Sequence, residues 1–232
     1  MTVGRAIGLA GAVTRLVMEA EMEREVTAVE LARRAMRTAR TILDVHGVDV
    51  RTDGPCPRGA CIVVANHLSY IDPLLVCAVA PCIAIAKGET RSWPLIGRGL
   101  KALGVIFVQR GDAVSGAIAI RRAWRALRMG ATVLNFPEGT TSHGRDVAPF
   151  RRGIFGLALH ARVPLVPARI TYSDDRVPWV GGEGFAPHYW RLAGVTRLEA
   201  RVSFGEAMSV RGLERAEDLA QRVRDAVGSL RA

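Results

Sequence analysis

From Gly47 onward the sequence alternates short, β-branched apolar runs with longer stretches of helical periodicity, and this alternation restricts the fold more than any other feature. The apolar runs lie at 48–52, 61–65 (CIVVA), 104–108 (GVIFV), 132–136 (TVLNF), 165–171 (LVPARIT) and 197–204; the helical stretches lie at 73–79, 113–129, 152–162 and 213–230. Such a pattern predicts a layered αβα fold of the α/β class with a mainly parallel central sheet. In sheets of that kind ligands gather at the carboxyl ends of the strands. Residues 173–192, rich in Gly, Pro and Trp, read as a long excursion from the sheet.

The first 45 residues contain no proline and read as helix, weakened at its beginning by Gly4, Gly8 and Gly11. Residues 1–46 are therefore an N-terminal helical extension, either an anchor on a membrane surface or a helix packed over the core. Residues 47–232 carry the rest. At about 150 residues per domain, a chain of 232 residues is one large domain or at most two small ones. No transmembrane span is expected, because the longest clean apolar stretch, 73–86, is 14 residues and a span needs about 20.

Charge narrows the partners. The net charge is +10, and only Lys87 and Lys101 are lysines, so the basicity is built from arginine. Residues 91–170 hold thirteen basic residues against Asp112, Glu138 and Asp146, while the segments on either side cancel. An anionic partner is expected at the folded body, without the basic tail common in nucleic-acid binders. Arg121, Arg122, Arg125 and Arg128 fall near one helix face, either as a solvated surface or facing anionic headgroups or an acidic protein. Cys56, Cys61, Cys77 and Cys82 form two C-x4-C pairs. That spacing allows a zinc site, yet Cys77 and Cys82 sit in an apolar run where buried thiols are usual, and with no export signal a reducing compartment is expected. No metal is expected.

Three constellations carry chemistry. Asn66, His67 and Asp72 follow the run CIVVA, so His67 stands where a buried strand ends. A five-residue spacing rotates about 140° in a continuous helix, and the two side chains meet only if a turn intervenes. Asp72-Pro73 supplies a helix start, which leaves Asp72 either an N-cap or the partner that orients His67 as a base. Residues 136–142 (FPEGTTS) follow the next strand but one, with Glu138 a carboxylate in need of a donor and Gly139 able to present its amide to an anion or oxyanion. Residues 104–110 (GVIFVQR) end on Arg110, whose fork of donors suits a phosphate or a salt bridge.

In this order the motifs resemble the lysophospholipid acyltransferase family, the 1-acylglycerol-3-phosphate acyltransferase type. NH-x4-D corresponds to Asn66, His67 and Asp72, the strand closing on Arg to Arg110, FPEGT-x-S to 136–142, and an apolar proline-marked fourth motif to 163–167 (VPLVP). The resemblance spans roughly residues 60–170, with looser likeness to about 205. It implies that 47–232 is an acyltransferase domain in which His67, aided by Asp72, deprotonates the hydroxyl of a lysolipid. The alkoxide then attacks a fatty-acyl thioester, acyl-CoA or acyl-ACP, as co-substrate with no cofactor. It implies further that Arg110 holds the acceptor's phosphate, that Glu138, Gly139 and Thr140 belong to the acceptor site, and that the Gly139 amide is the oxyanion candidate. The acceptor implied is 1-acyl-sn-glycerol-3-phosphate, with lyso-ornithine lipid or another lysophospholipid as the alternative. The partners implied are the lysolipid, the thioester donor, acyl carrier protein among its carriers, and an anionic membrane surface, with no nucleic acid and a peripheral place on the cytoplasmic face of the membrane.

Thr141 departs from the pattern, where phosphate-specific members have arginine. Arg145, Arg151 and Arg152 are the candidates to replace it. The aromatics of 179–191 suit either an interfacial contact or packing. His46, His143, His160 and His188 read as structural. From another class stands a non-catalytic lipid- or nucleotide-binding protein, the latter suggested by the G-x-G-x-x-A match at 97–102 that follows Trp93-Pro94 rather than a strand.

Overall fold

The computed structural model describes residues 2–23 and 25–231. Its elements run α1 (Thr2–Met22), α2 (Ala28–His46), β1 (Val48–Asp53), β2 (Ile62–Ala65), α3 (Asp72–Val79), β3 (Cys82–Lys87), α4 (Ile96–Ala102), β4 (Ile106–Val108), α5 (Ala113–Arg128), β5 (Thr132–Asn135), α6 (Gly153–Ala161), β6 (Leu165–Tyr172), α7 (Phe185–Ala193), β7 (Leu198–Phe204) and α8 (Ala216–Ser229). One seven-stranded sheet has the order β1-β7-β6-β2-β5-β3-β4. The five strands from β6 to β4 are mutually parallel, and β7 joins β6 antiparallel with β1 parallel to β7. The layered α/β fold with a mainly parallel sheet is what the alternation predicts.

β2 explains the layering. All four of its side chains are buried, the signature of a parallel strand covered on both faces. Ile62 and Val64 pack with α5, α6 and α8, whereas Val63 and Ala65 pack with α2 and α3. Burying each such side chain contributes roughly 1.5–3 kcal/mol, so a charge at any position of β2 would disrupt the layer that its side chain faces.

The structure corrects or fills in the local reading at four places. The single N-terminal helix is two, because Thr27 caps α2 in a capping box with Glu30, a T-x-x-E signal present in the sequence. β3 (Cys82–Lys87) occupies the apolar stretch left unassigned after the helix at 73–79. The excursion after β6 contains α7. The G-x-G-x-x-A match lies inside α4, where its first two glycines serve packing: a Cβ on Gly97 would lie 2.2 Å from the Arg91 carbonyl oxygen, and one on Gly99 2.8 Å from Val13. Among the cysteines, Cys61, Cys77 and Cys82 are buried, Cys77 and Cys82 sulfurs lying 3.4 Å apart as free thiols.

α1 is packed on the body. The Arg5 guanidinium donates to the carbonyls of Ala193 (3.0 Å), Thr196 (2.9 Å) and Val195 just past α7, and Val13 and Leu16 are buried. Its outer face leaves Val3, Ile7, Met18 and Met22 exposed. Among the described residues no helix is long and apolar enough to cross a membrane.

Topology locates the site. The connection leaving β2 goes through α3 on one face to β3, and the one leaving β5 goes through α6 on the other face to β6. β2 and β5 are thus adjacent strands whose crossovers diverge, and the crevice beyond their carboxyl ends is where such sheets bind ligands. His67 follows β2 and Glu138 follows β5.

Candidate active site

The chain leaves β2 with its register extended by a side chain. Asn66 accepts from the Ile170 amide (2.7 Å) and donates to the Ile170 carbonyl (3.0 Å), continuing the β2–β6 ladder by one rung. Residues 67–71 then fold back so that His67 Nδ1 meets Asp72 Oδ2 at 2.8 Å. Asp72 is fully buried, and its carboxylate also accepts from the Leu68 amide (2.6 Å), the Ser69 amide (2.9 Å) and the Tyr172 hydroxyl (2.5 Å). A buried carboxylate is costly unless its lone pairs are satisfied, and four donors do so here. The N-cap alternative is excluded by this geometry: Asp72 is the first helical residue, and its side chain reaches back to amides before α3. Because an ionised carboxylate only accepts, Nδ1 of His67 carries the proton and Nε2 is left with a lone pair. The imidazole stacks on Phe136, centroids 4.4 Å apart.

The loop after β5 clasps the same histidine from the other side. The His67 amide donates to Glu138 Oε1 (3.0 Å), and the Ser142 amide donates to the His67 carbonyl (2.8 Å). Glu138 is 5% exposed and does not reach the cavity described below. Its expected contact with the acceptor is therefore replaced by a bracing contact between the ends of β2 and β5. Burial raises its pKa, partly offset by the His67 amide. Gly139 has φ +71, and a Cβ there would lie 2.7 Å from Arg151 Nε. The Gly139 amide donates to the Phe136 carbonyl (3.2 Å), so the oxyanion candidate has its hydrogen engaged within the turn. Thr140 is exposed and lines the cavity.

That cavity has a volume of about 860 Å³. Its polar end holds His67, Arg110, Thr140 and Arg151, and its apolar body is walled by Leu9 and Val13 of α1, Ile42 of α2, Leu74 of α3 and Ile120 of α5. Arg110 stands at the mouth, its pKa lowered by partial burial and then by the neighbouring Arg151, with Glu89 acting in the opposite sense. Neither arginine forms an ion pair among the described residues. Of the three candidates to replace the arginine absent at 141, only Arg151 joins Arg110; Arg152 pairs with Glu217 (3.0 Å) and Arg145 lies outside the lining. The Thr141 hydroxyl donates to the Trp179 carbonyl, and the Trp179 amide donates to the Leu68 carbonyl (2.8 Å). Trp179 thus packs as a wall, edge-on to Tyr70 at 5.5 Å, while Trp190 remains exposed. His188 is fully buried, its Nδ1 3.2 Å from the Tyr70 hydroxyl, and His46 bonds within α2 and to Tyr189.

Two residues of this site escape sequence reasoning. Tyr172 lies 100 positions beyond Asp72, and Arg151 is indistinguishable from its neighbours until the turn at Gly139 is folded. The only sequence signal for Tyr172 is its place just past the end of the strand predicted at 165–171.

A family model described as acyltransferase matches residues 42–171. A lyso-ornithine lipid O-acyltransferase of Pseudomonas aeruginosa is 36% identical over 184 residues, covering 77% of this chain and 70% of the relative. A 1-acyl-sn-glycerol-3-phosphate acyltransferase of Neisseria meningitidis serogroup B is 30% identical over 167 residues, covering 70% of this chain and 65% of the relative. The crystal structure of the 1-acyl-sn-glycerophosphate (LPA) acyltransferase PlsC from Thermotoga maritima shares the fold, with a TM-score of 0.67 over 98% of this chain and 95% of that one at 21% identity. On the matched family model and the similarity to the Pseudomonas enzyme, the chain belongs to the acyltransferase family.

Proposed function

We propose that this protein moves a fatty-acyl group from an acyl thioester, acyl-CoA or acyl-ACP, to the free hydroxyl of a lysolipid, with 1-acyl-sn-glycerol-3-phosphate as acceptor and phosphatidic acid as product. The observation that carries this reading is the His67–Asp72 pair opening on an apolar cavity whose polar end bears two arginines with no acid partner. His67 Nε2 takes the proton from the hydroxyl as its oxygen attacks the thioester carbonyl, and Asp72 stabilises the imidazolium that forms. The tetrahedral intermediate collapses by breaking its C–S bond, and the imidazolium returns the proton to the departing thiolate. Arg110 and Arg151 hold the acceptor's anionic head, each supplying charge-assisted hydrogen bonds. The exposed apolar face of α1 supports a peripheral place on a membrane surface, and the cytoplasmic face is the side this reading assigns. No cofactor enters this scheme.

A second acceptor, lyso-ornithine lipid, is favoured by one observation: the Thr141 hydroxyl is committed to the Trp179 carbonyl, so this position offers a loop anchor rather than a cation. The 36% identical relative bears that name. The test is purified protein with acyl-CoA or acyl-ACP and a panel of lysophosphatidic acid, lysophospholipids and lyso-ornithine lipid. The fastest acceptor decides between the two readings. No product with any acceptor, or full activity in His67→Ala, overturns both.

A further inference from the structure

Away from the catalytic edge, α5 presents an outer face that the reaction does not use. At 100° per residue, Val114, Ile118, Arg121, Arg122, Arg125, Arg128 and Met129 fall on one side, and all are exposed, with Val114 at 70%, Ile118 at 49% and Met129 at 54%. The opposite side, Ala119, Ala123, Ala126 and Leu127, is buried against the sheet. No acid lies within α5 after its N-cap Asp112, and none of the four arginines pairs with an acid among the described residues. Some exposed arginines elsewhere are paired, Arg98 with Glu21, Arg152 with Glu217, Arg191 with Glu183 and Arg197 with Asp49, whereas the four on α5 stand together without an acid. Like charges three and four apart on a helix repel, so α5 carries a cost in the free protein that an anionic partner would relieve.

A second surface groove, about 380 Å³, lies between α5, the β4 edge and the turn from α1 to α2. Arg91, Lys101, Arg122 and Arg125 line it over an apolar floor that includes Leu31 and Ile106. It sits toward the amino end of β4, whereas Arg110 and the catalytic cavity lie beyond the carboxyl end. It is therefore separate from the acceptor site.

We propose that the outer face of α5 and this groove form the docking surface for an anionic phospholipid membrane, with lipid phosphates among the four groove cations and Val114, Ile118 and Met129 entering the headgroup region. The alternation of large apolar side chains with cations favours a lipid surface, which takes up both the cations at its phosphates and the apolar side chains below them, over free phosphate, which gains nothing from three exposed apolar residues on the same stripe. Continuity supports the same occupant: Val26 of the α1–α2 turn lines the groove, and Met18 and Met22, exposed at the end of α1, lie just before that turn. This rests on the membrane-surface part of the proposed function and specifies the face that docks.

The experiment is co-sedimentation of the full chain with vesicles of phosphatidylcholine alone or mixed with phosphatidylglycerol, at low and high salt. The double variant Arg122→Glu/Arg125→Glu is expected to lose about tenfold or more of its partition onto anionic vesicles at low salt, with thermal stability and activity on detergent-dispersed acceptor retained. Val114→Ser/Ile118→Ser is expected to lower the fraction that stays bound at high salt. Charge-neutral Arg122→Gln/Arg125→Gln serves if the reversal impairs folding. Unchanged partition in the charge variants overturns the proposal. So does saturable binding of inorganic phosphate that the reversal abolishes while vesicle partition persists, or a loss confined to turnover with acyl-ACP in detergent, which would mark an acidic protein as the occupant. Charge-dependent partition in a protein that acylates no acceptor would sink the catalytic reading and leave this one standing.

Discussion

The polar end of the cavity contains two arrangements of charge built on opposite principles. At the dyad, Asp72 is buried and every oxygen is occupied, by His67, two backbone amides and Tyr172. At the mouth, Arg110 and Arg151 are exposed, lie near each other and have no acid partner. The first is complete without substrate, as a base needs to be if its tautomer is to be set in advance. In the proposed function the second is completed by the acceptor's anion, so that catalytic chemistry and acceptor choice fall to separate groups and each can be altered without the other.

The largest effect is expected at the dyad. His67→Ala should lower kcat about 10²–10⁴-fold, the ordinary contribution of a positioned general base, measured by product formation at saturating acceptor. Asp72→Asn should fall in the same range and also destabilise the fold by about 1–3 kcal/mol, since it presents an amide to donors that require an acceptor; thermal melts read the second effect. Tyr172→Phe keeps the ring and leaves one buried oxygen of Asp72 without its donor. A roughly tenfold loss of kcat with KM unchanged is expected, about 1.4 kcal/mol, and an unaltered kcat would show that the hydroxyl only fills space.

At the mouth the pattern should invert. Arg151→Ala or Arg110→Ala should raise KM for an anionic acceptor about tenfold or more with little change in kcat, the mark of binding shared by ground and transition states. Equal losses in kcat would erase the distinction between the two regions. Thr141→Arg should then shift the ratio of rates toward the phosphate-bearing acceptor by a smaller factor, because it adds a cation while releasing Trp179.

The smallest expected effect is on stability against pH. Burial raises the pKa of Glu138 in the folded state, so the folded protein binds that proton more tightly than the unfolded chain does. The resulting stabilisation is fully present below the unfolded value of about 4.3 and is lost as pH rises through the higher folded value. Glu138→Gln should therefore lose stability relative to the parent as pH is lowered from neutrality toward 4, measured by thermal melts. The opposite slope would mean that Glu138 is held ionised by a partner.

Much of the site was legible because its signals are local. His67 and Asp72 are five residues apart, and a turn before Pro73 was needed on geometric grounds alone. Arg110 and the loop at 136–142 each follow directly on a readable strand. What was not legible depends on which loops become neighbours. Glu138 reads as a carboxylate in need of a donor, but which donor is decided only by the parallel pairing of β2 with β5, which brings it beneath the His67 amide. Gly139 reads as a free donor, yet its turn uses the amide internally. β3 was hidden because a short buried strand and a buried helix share the same apolar composition. The split between α1 and α2 was available in Thr27 and Glu30, but a long proline-free run masks a capping box inside it.

The amino-acid sequence by itself determined the α/β class, the strand ends that carry His67, Arg110 and Glu138, and the arginine excess between residues 91 and 170, because periodicity, local turns and charge are properties of contiguous residues. Tertiary structure alone decided that Tyr172 completes Asp72, that Arg151 rather than Arg145 or Arg152 joins Arg110, and that α1 walls the cavity. Tyr172 and Asp72 lie 100 residues apart, and the crossovers that stack β6 beside β2 bring them within hydrogen-bond reach, while the other contacts depend on how loops and helices far apart in the chain meet around the cavity.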